Sequence, residues 1–132
     1  MIRVILADDH HLIRNGIRAL LEKAEDIEVV GEAADGLEAV ELTETLAPDV
    51  LVLDLAMPRM NGIQAAQQIR ERGAATKVMI LSMYCDEALV WQAMRSGVRG
   101  YVLKRTLSDD LLSAVRSIYR GETYFSPTFA EV

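Results

Sequence analysis

The segment 50-VLVLD-54 gives the clearest indication of the fold, because four consecutive apolar residues are followed directly by an acid. Continuous rather than alternating apolar residues are typical of a strand that is covered on both faces, as in a parallel sheet. The pattern therefore predicts five parallel strands, since four further short runs of the same character recur along the chain. These runs are Val4–Ala7, Val29–Val30 with Ala33, Val78–Leu81 and Tyr101–Leu103.

Segments of helical spacing fill the gaps between these runs, and five βα units predict a doubly wound α/β sheet with the strand order 2-1-3-4-5. Gly36–Leu46 and Asn61–Arg72 predict two of the helices, and Asp35, Asn61 and Ser108 are the predicted N-caps. Three further helices show an apolar stripe. The stripes are Leu12, Ile13, Ile17, Leu20, Leu21 and Ala24; Leu89, Val90, Ala93, Met94 and Gly97; and Leu111, Leu112, Val115, Ile118 and Tyr119.

The composition limits the classes of protein that fit. A chain of 132 residues with 51% hydrophobic and 26% charged residues forms one globular domain. Its net charge of −6 excludes a basic nucleic-acid footprint over the whole domain. The single cysteine, Cys85, excludes an intrachain disulfide and a cysteine-rich metal site. No apolar run approaches the roughly 18–20 residues that span a bilayer, so we expect a cytoplasmic protein with no membrane partner.

Residues 121–132 break the alternation of strands and helices. Their sequence, GETYFSPTFAEV, contains Gly, Ser, Pro and two Thr, and it shows neither a strand nor a helical period. This composition is typical of a linker. We therefore expect a domain at 1–120 and the start of a linker at 121–132, within a longer protein. The frayed end of a small complete protein is the alternative.

Polar side chains follow four of the five predicted strands. Asp8 and Asp9 follow the first, Asp54 the third, Ser82 the fourth and Lys104 the fifth. Ligands of an open α/β sheet bind outside the carboxyl ends of its strands, at the point where the strand order reverses. The first and third strands flank that point, so we expect these five side chains to meet at one edge of the sheet.

Three carboxylates in one pocket repel each other, and a divalent cation relieves the repulsion. An all-oxygen site favours Mg²⁺ or Mn²⁺ over Zn²⁺, and Mg²⁺ held by few protein oxygens usually meets a phosphoryl group. Lys104 adds a positive point charge suited to phosphate, and Ser82 adds a hydrogen-bond donor. One carboxylate is left as a nucleophile. The residues therefore predict phosphoryl transfer to Asp54.

Four segments with these residues resemble the receiver domain of two-component response regulators. They are ILADDH (5–10), LVLDLAMPRMNG (51–62), VMILSMYCDE (78–87) and GYVLKR (100–105), and the resemblance covers about residues 2–120. It implies that Asp54 accepts a phosphoryl group from a sensor histidine kinase. It also implies that Asp9, Asp54 and the backbone carbonyl of Ala56 hold Mg²⁺, with Asp8 acting in part through a bound water.

The same resemblance implies roles for three further residues. Ser82 and Lys104 would contact the phosphoryl oxygens. Tyr101 occupies the position of the switch aromatic, which turns inward when Ser82 moves toward the phosphate. The receiver is thus expected to be a switch between an inactive and an active form, and not an enzyme with turnover of its own.

Local features resemble the NarL/FixJ-type transcription regulators, which carry a LuxR-type helix-turn-helix at the C-terminus. These features are GYVLK, LSMY and RGETYFSP, together with Arg105 at a position where many receivers have proline. The resemblance implies that DNA is bound only through a C-terminal domain beyond residue 132. It also implies a phosphorylation-dependent homodimer as the active form.

Other functions remain open at this stage. A stand-alone receiver or a binding module that works without phosphorylation would keep the same fold. A Mg²⁺-dependent aspartyl phosphatase is disfavoured, because such enzymes usually place a second acid two residues after the nucleophile, where this chain has Ala56. His10 and His11 are adjacent and would point about 100° apart on a helix, so they do not easily share one ion. We expect surface imidazoles there, with His10 as a pH-sensitive neighbour of the site.

Overall fold

The structure is a computed structural model that describes residues 1–83 and 86–125. Within these residues it contains six strands, five α-helices and a short 3₁₀ turn at Lys104–Thr106. The strands are β1 (Ile2–Ala7), β2 (Ile27–Ala33), β3 (Val50–Asp54), β4 (Lys77–Ser82), β5 (Gly100–Leu103) and β6 (Tyr124–Phe125). The helices are α1 (His11–Glu22), α2 (Gly36–Leu46), α3 (Gly62–Glu71), α4 (Glu87–Arg95) and α5 (Leu107–Tyr119).

All neighbouring strands are parallel, in the order β2-β1-β3-β4-β5-β6. The predicted order of the first five strands is therefore confirmed. Every residue of β3 is buried, as its continuous apolar sequence predicts. Leu51 and Leu53 belong to one core cluster and Val50 and Val52 to the other. The sheet is thus covered on both faces, which makes the fold doubly wound.

The predicted linker contains a short strand that the sequence pattern does not reveal. Tyr124 and Phe125 pair with Gly100 and Tyr101 of β5, so the sheet has six strands and not five. A two-residue strand is too short to show a period, and it forms because β5 otherwise has a free edge. Residues 126–132 of the predicted linker lie outside the described residues, as does Cys85.

Two of the three predicted N-caps are correct. The carboxylate of Asp35 accepts the backbone N–H of Glu38, and the Asn61 side chain accepts that of Gln64, both at 2.8 Å. Ser108 is not a cap, because α5 already begins at Leu107, directly after the 3₁₀ turn. The 3₁₀ turn shifts the helix start in a way that residue types alone do not indicate.

Part of the apolar stripe predicted on α1 is exposed and does not face the core. Ile17 and Leu21 pack into the core, whereas Leu12 is 82% exposed. Leu12 lies in the first turn of α1, close to the carboxyl edge of the sheet, where β1 ends at Ala7.

No helix within residues 1–83 and 86–125 has the length and apolar character needed to cross a membrane.

Gly62 brings α3 against the end of β3. A Cβ atom at this position would lie 2.6 Å from the backbone oxygen of Asp54, closer than atoms can pack. The Gly62 N–H donates to the carbonyl of Leu55 at 2.9 Å. The loop after β3 therefore folds back tightly onto the strand end and fixes the backbone that carries Asp54.

Candidate functional site

Three charged side chains meet at the carboxyl edge of the sheet. Lys104 Nζ lies 3.1 Å from Asp8 Oδ2 and 3.2 Å from Asp54 Oδ1. Asp8 directly follows β1, Asp54 ends β3 and Lys104 directly follows β5. Lys104 and Asp8 are 96 positions apart in sequence, and the parallel order of the strands brings them together.

The two bridged carboxylates are buried. Asp8 is fully buried and Asp54 is 2% exposed. Burial raises the pKa of the Asp54 carboxyl above its ordinary value, and the charge of Asp8 raises it further. The Lys104 ammonium and the backbone N–H of Ala56 act in the opposite direction without cancelling the rise. Asp54 is thus held in a pocket that opposes its negative charge.

The charge of Lys104 is stabilised by the same neighbours. Burial lowers the pKa of the Lys104 ammonium, but the carboxylates of Asp54 and Asp8 outweigh it, so the net pKa is raised above its ordinary value. The lysine therefore stays protonated at neutral pH. One positive charge faces two buried negative charges, which leaves a net negative pocket.

One oxygen of Asp54 has no partner. No donor among the described residues reaches Asp54 Oδ2, although this atom is buried. A buried polar atom left without a hydrogen bond costs on the order of 1–3 kcal/mol. Such an atom in a charged pocket marks a point where the site is incomplete without a cation or a bond to a further group.

Asp54 belongs to a cluster of acidic side chains and one imidazole. Asp8, Asp9, His10 and Asp54 each offer one ligand atom, and these atoms all lie within 4.8 Å of one another. The three carboxylates supply the oxygen donors that Mg²⁺ prefers, so the residues fit this ion. The backbone carbonyl of Ala56, the fourth predicted ligand, belongs to the loop directly after β3.

Ser82 and Tyr101 lie on β4 and β5, the next two strands beyond β3. Ser82 is buried at the end of β4, one residue beyond Leu81, the register partner of Asp54. Tyr101 is fully buried on β5, opposite Ile80. The tyrosine ring is therefore packed inside the domain in this structure, within the core cluster that also contains Leu53.

Arg14 supports the site although the sequence analysis assigns it no role. Its Nη1 donates to the backbone oxygen of Asp8 at 2.6 Å, and its Nε donates to Glu32 at 3.0 Å. The guanidinium thereby fixes the backbone of the acidic loop between β1 and α1. Arg14 is four residues after His10, one helical turn, but no residue pattern reveals that it reaches back to a carbonyl.

Residues 4–116 match the family described as response regulator receiver domain. The chain belongs to this family, and its similarity to NarL and LuxR-family regulators places it among the receivers of that type.

The relatives agree with this assignment. The chain is 43% identical over 126 residues to the oxygen regulatory protein NreC of Staphylococcus carnosus. This alignment covers 95% of the chain and 58% of NreC. A LuxR-family two-component response regulator from Aurantimonas sp. SI85-9A1 superposes with a TM-score of 0.94 at 36% identity, over 98% of this chain and 92% of that one.

The signal receiver domain of the response regulator NarL from Mycobacterium tuberculosis gives a TM-score of 0.89 at 37% identity, over 92% of this chain and 98% of that one. The chain thus covers almost all of a solved isolated receiver, but it spans less than two thirds of the length of NreC.

Proposed function

We propose that this receiver is a phosphorylation switch in which Asp54 accepts a phosphoryl group from a sensor histidine kinase. The observation that carries the proposal is the buried Asp54 carboxylate, whose Oδ1 lies 3.2 Å from Lys104 Nζ while its Oδ2 has no hydrogen-bond partner among the described residues. A carboxylate of this kind is a nucleophile for phosphoryl transfer. Membership of the receiver family supports the same role.

In the transfer, an Asp54 oxygen attacks the phosphorus of a phosphohistidine as the phosphorus–nitrogen bond breaks, and the histidine nitrogen leaves with its electron pair. Bound Mg²⁺ would supply positive charge to the three transferred oxygens. Asp8, Asp9, Asp54 and the carbonyl of Ala56 are the groups that would hold the ion. Lys104 provides a second positive charge, and it already lies 3.2 Å from Asp54 Oδ1.

The switch follows from competition for Lys104. In this structure the ammonium is shared between Asp8 and Asp54. A phosphoryl group on Asp54 brings stronger acceptors to the same place, so that Lys104 and the Ser82 hydroxyl contact phosphoryl oxygens in the active form. Tyr101 on β5 is the expected switch aromatic, and its ring is already buried in this structure. The phosphoryl group shifts the population toward the form that binds it better.

The output is part of the proposal. The receiver includes β6, and the residues after it lead to a LuxR-type helix-turn-helix that binds DNA when the phosphorylated receiver dimerises. The chain spans only 58% of NreC, which leaves room for a further domain in that relative. The protein would act in the cytoplasm. It would be a switch without turnover of its own, because Ala56 offers no acid for rapid hydrolysis of the phosphoryl group.

Intact mass spectrometry after incubation with Mg²⁺ and acetyl phosphate tests the proposal. Wild type should gain the mass of one phosphoryl group, and Asp54→Asn should gain none. Asp35→Asn is the matched control, because asparagine also caps a helix and Asp35 lies at the start of α2. A folded wild type that binds Mg²⁺ but gains no mass would instead indicate a binding module that works without phosphorylation.

A further inference from the structure

His10 is a surface imidazole, with 59% of its side chain exposed, that also contacts the acidic cluster. Its backbone N–H donates to Asp8 Oδ1 at 2.8 Å, at the residue where α1 is about to begin. The ring Nδ1 lies 3.1 Å from Asp9 Oδ1 and 3.3 Å from Asp8 Oδ1. The backbone hydrogen bond thus places the imidazole on the same side of the loop as the carboxylates.

These are hydrogen-bond and ion-pair distances, and they also suit neighbouring ligands on one ion. Two ligand atoms at right angles on a metal with bonds of about 2.1 Å are separated by roughly 3.0 Å. The separation of Asp9 Oδ1 and His10 Nδ1, 3.1 Å, is close to this value, and each of the two residues has a ligand atom within 4.8 Å of an Asp54 oxygen. The unpartnered, buried Oδ2 of Asp54 is a second, independent indication that a ligand completes the cluster.

The adjacent histidine is directed elsewhere. His11 Nδ1 lies 3.3 Å from Arg14 Nη2, and His11 Nε2 lies 3.3 Å from Asn15 Nδ2. Both ring nitrogens of His11 therefore face residues of its own helix. Only His10 of the two joins the cluster, which agrees with the expectation that they do not share one ion.

We propose that His10 Nδ1 is a direct ligand of the divalent cation at Asp9 and Asp54, with the ring proton carried on Nε2. This inference rests on the proposed function, since it uses the same cation site. An imidazole adds little for Mg²⁺, which prefers oxygen, but it strengthens the binding of Ni²⁺ and Zn²⁺. The site is therefore one that binds borderline transition ions more tightly than its carboxylates alone would allow.

Tag-free wild type, His10→Ala and His11→Ala, each loaded with Mn²⁺ at one fixed pH above neutrality, test the assignment. Pulsed electron paramagnetic resonance should detect a directly bound ¹⁴N nucleus in wild type and in His11→Ala, and none in His10→Ala. The wild-type spectrum alone already tests the proposal should a variant fail to fold. Absence of nitrogen coupling in wild type, or its persistence in folded His10→Ala, overturns the assignment.

Calorimetric titration with two metals separates this inference from the proposed function. His10→Ala should weaken Ni²⁺ binding at least about tenfold, since losing even a partner of a ligand weakens metal binding about 10–100-fold. Mg²⁺ affinity should change less than about twofold. Equal Ni²⁺ affinity in wild type and His10→Ala would contradict the role of His10. Normal Mg²⁺ binding and phosphorylation of Asp54 in the same proteins would leave the proposed function intact. A wild type that binds neither metal contradicts both.

Discussion

The phenol of Tyr124 donates a hydrogen bond of 2.8 Å to Oδ1 of Asp110. The other oxygen of this buried carboxylate accepts the hydroxyl of Thr106 at 2.7 Å. Thr106 ends the 3₁₀ turn that begins at Lys104. One carboxylate thus connects β6 with the turn that presents the lysine of the site.

Tyr124→Phe should destabilise the domain by about 1.5–3 kcal/mol, the usual contribution of a hydrogen bond to a charged group. Asp110 is buried, so water does not readily replace the lost donor. Urea denaturation followed by circular dichroism measures the change. Tyr119→Phe is the matched control, because Tyr119 is 43% exposed and should change the unfolding free energy by less than about 0.5 kcal/mol. Equal effects of the two substitutions would argue against a role of the bond in stability.

The stabilisation by Tyr124 should also depend on pH. Burial, followed by the hydrogen bond to and the charge of Asp110, raises the pKa of Tyr124 from 10.0 to about 12. A phenol whose pKa is higher in the folded state stabilises fully below its unfolded pKa, and the effect is lost as the pH rises through the folded pKa. The difference in unfolding free energy between wild type and Tyr124→Phe should therefore be constant up to about pH 9 and shrink between 10 and 12. Parallel pH curves for the two proteins would contradict this expectation.

Gly62→Ala should destabilise the domain and slow phosphorylation of Asp54. The added Cβ would meet the Asp54 carbonyl at 2.6 Å, so the loop must move, at a cost of about 1–3 kcal/mol. Gly16→Ala is the control, because nothing lies within 4 Å of its Cβ and alanine favours a helix by about 0.5–1 kcal/mol. Thermal unfolding and the rate of phosphorylation by acetyl phosphate measure both effects. A Gly62→Ala protein with wild-type stability and rate would show that the close approach has no bearing on the site.

Asp54→Asn should raise the melting temperature in the absence of metal. Burial and the charge of Asp8 raise the pKa of Asp54, so its ionised form is unfavourable in the folded state at neutral pH. The loss of folding stability caused by the ionised Asp54 grows as the pH rises from its pKa in the unfolded state to its higher pKa in the folded state. The difference in melting temperature between Asp54→Asn and wild type should therefore vanish in acid. Added Mg²⁺ should reverse the order by stabilising only wild type, by about 2.7 kcal/mol at 100 times its Kd. A Mg²⁺ shift of equal size in both proteins would place the ion elsewhere.

Much of the fold follows from the sequence because burial on both faces leaves a direct signature. Val50–Asp54 shows it most clearly, and the structure buries all five residues. β6 lacks that signature, since two residues show no period, and its pairing depends on the free edge of β5. Ser108 fails as a cap for a related reason, because a 3₁₀ turn precedes α5.

The charged centre of the site is equally accessible to sequence reasoning. The position of a residue at the end of a parallel strand suffices to bring Asp8, Asp54 and Lys104 together. The contacts of His10 and Arg14 are not accessible in this way. They depend on the backbone angles between β1 and α1, where His10 is extended with φ −94° and ψ 105°, and on side-chain directions that sequence spacing does not specify.

The register of β6 against β5 fixes the direction of its two aromatic side chains. Successive residues of a strand face opposite sides of the sheet, so Tyr124 packs with one core cluster and Phe125 with the other. Sliding β6 by a single residue would exchange these two environments, turning the phenol toward Tyr101 and the phenyl ring toward Asp110. β6 therefore cannot shift along β5 by one residue without losing its packing. It is either paired in this register or detached from the sheet.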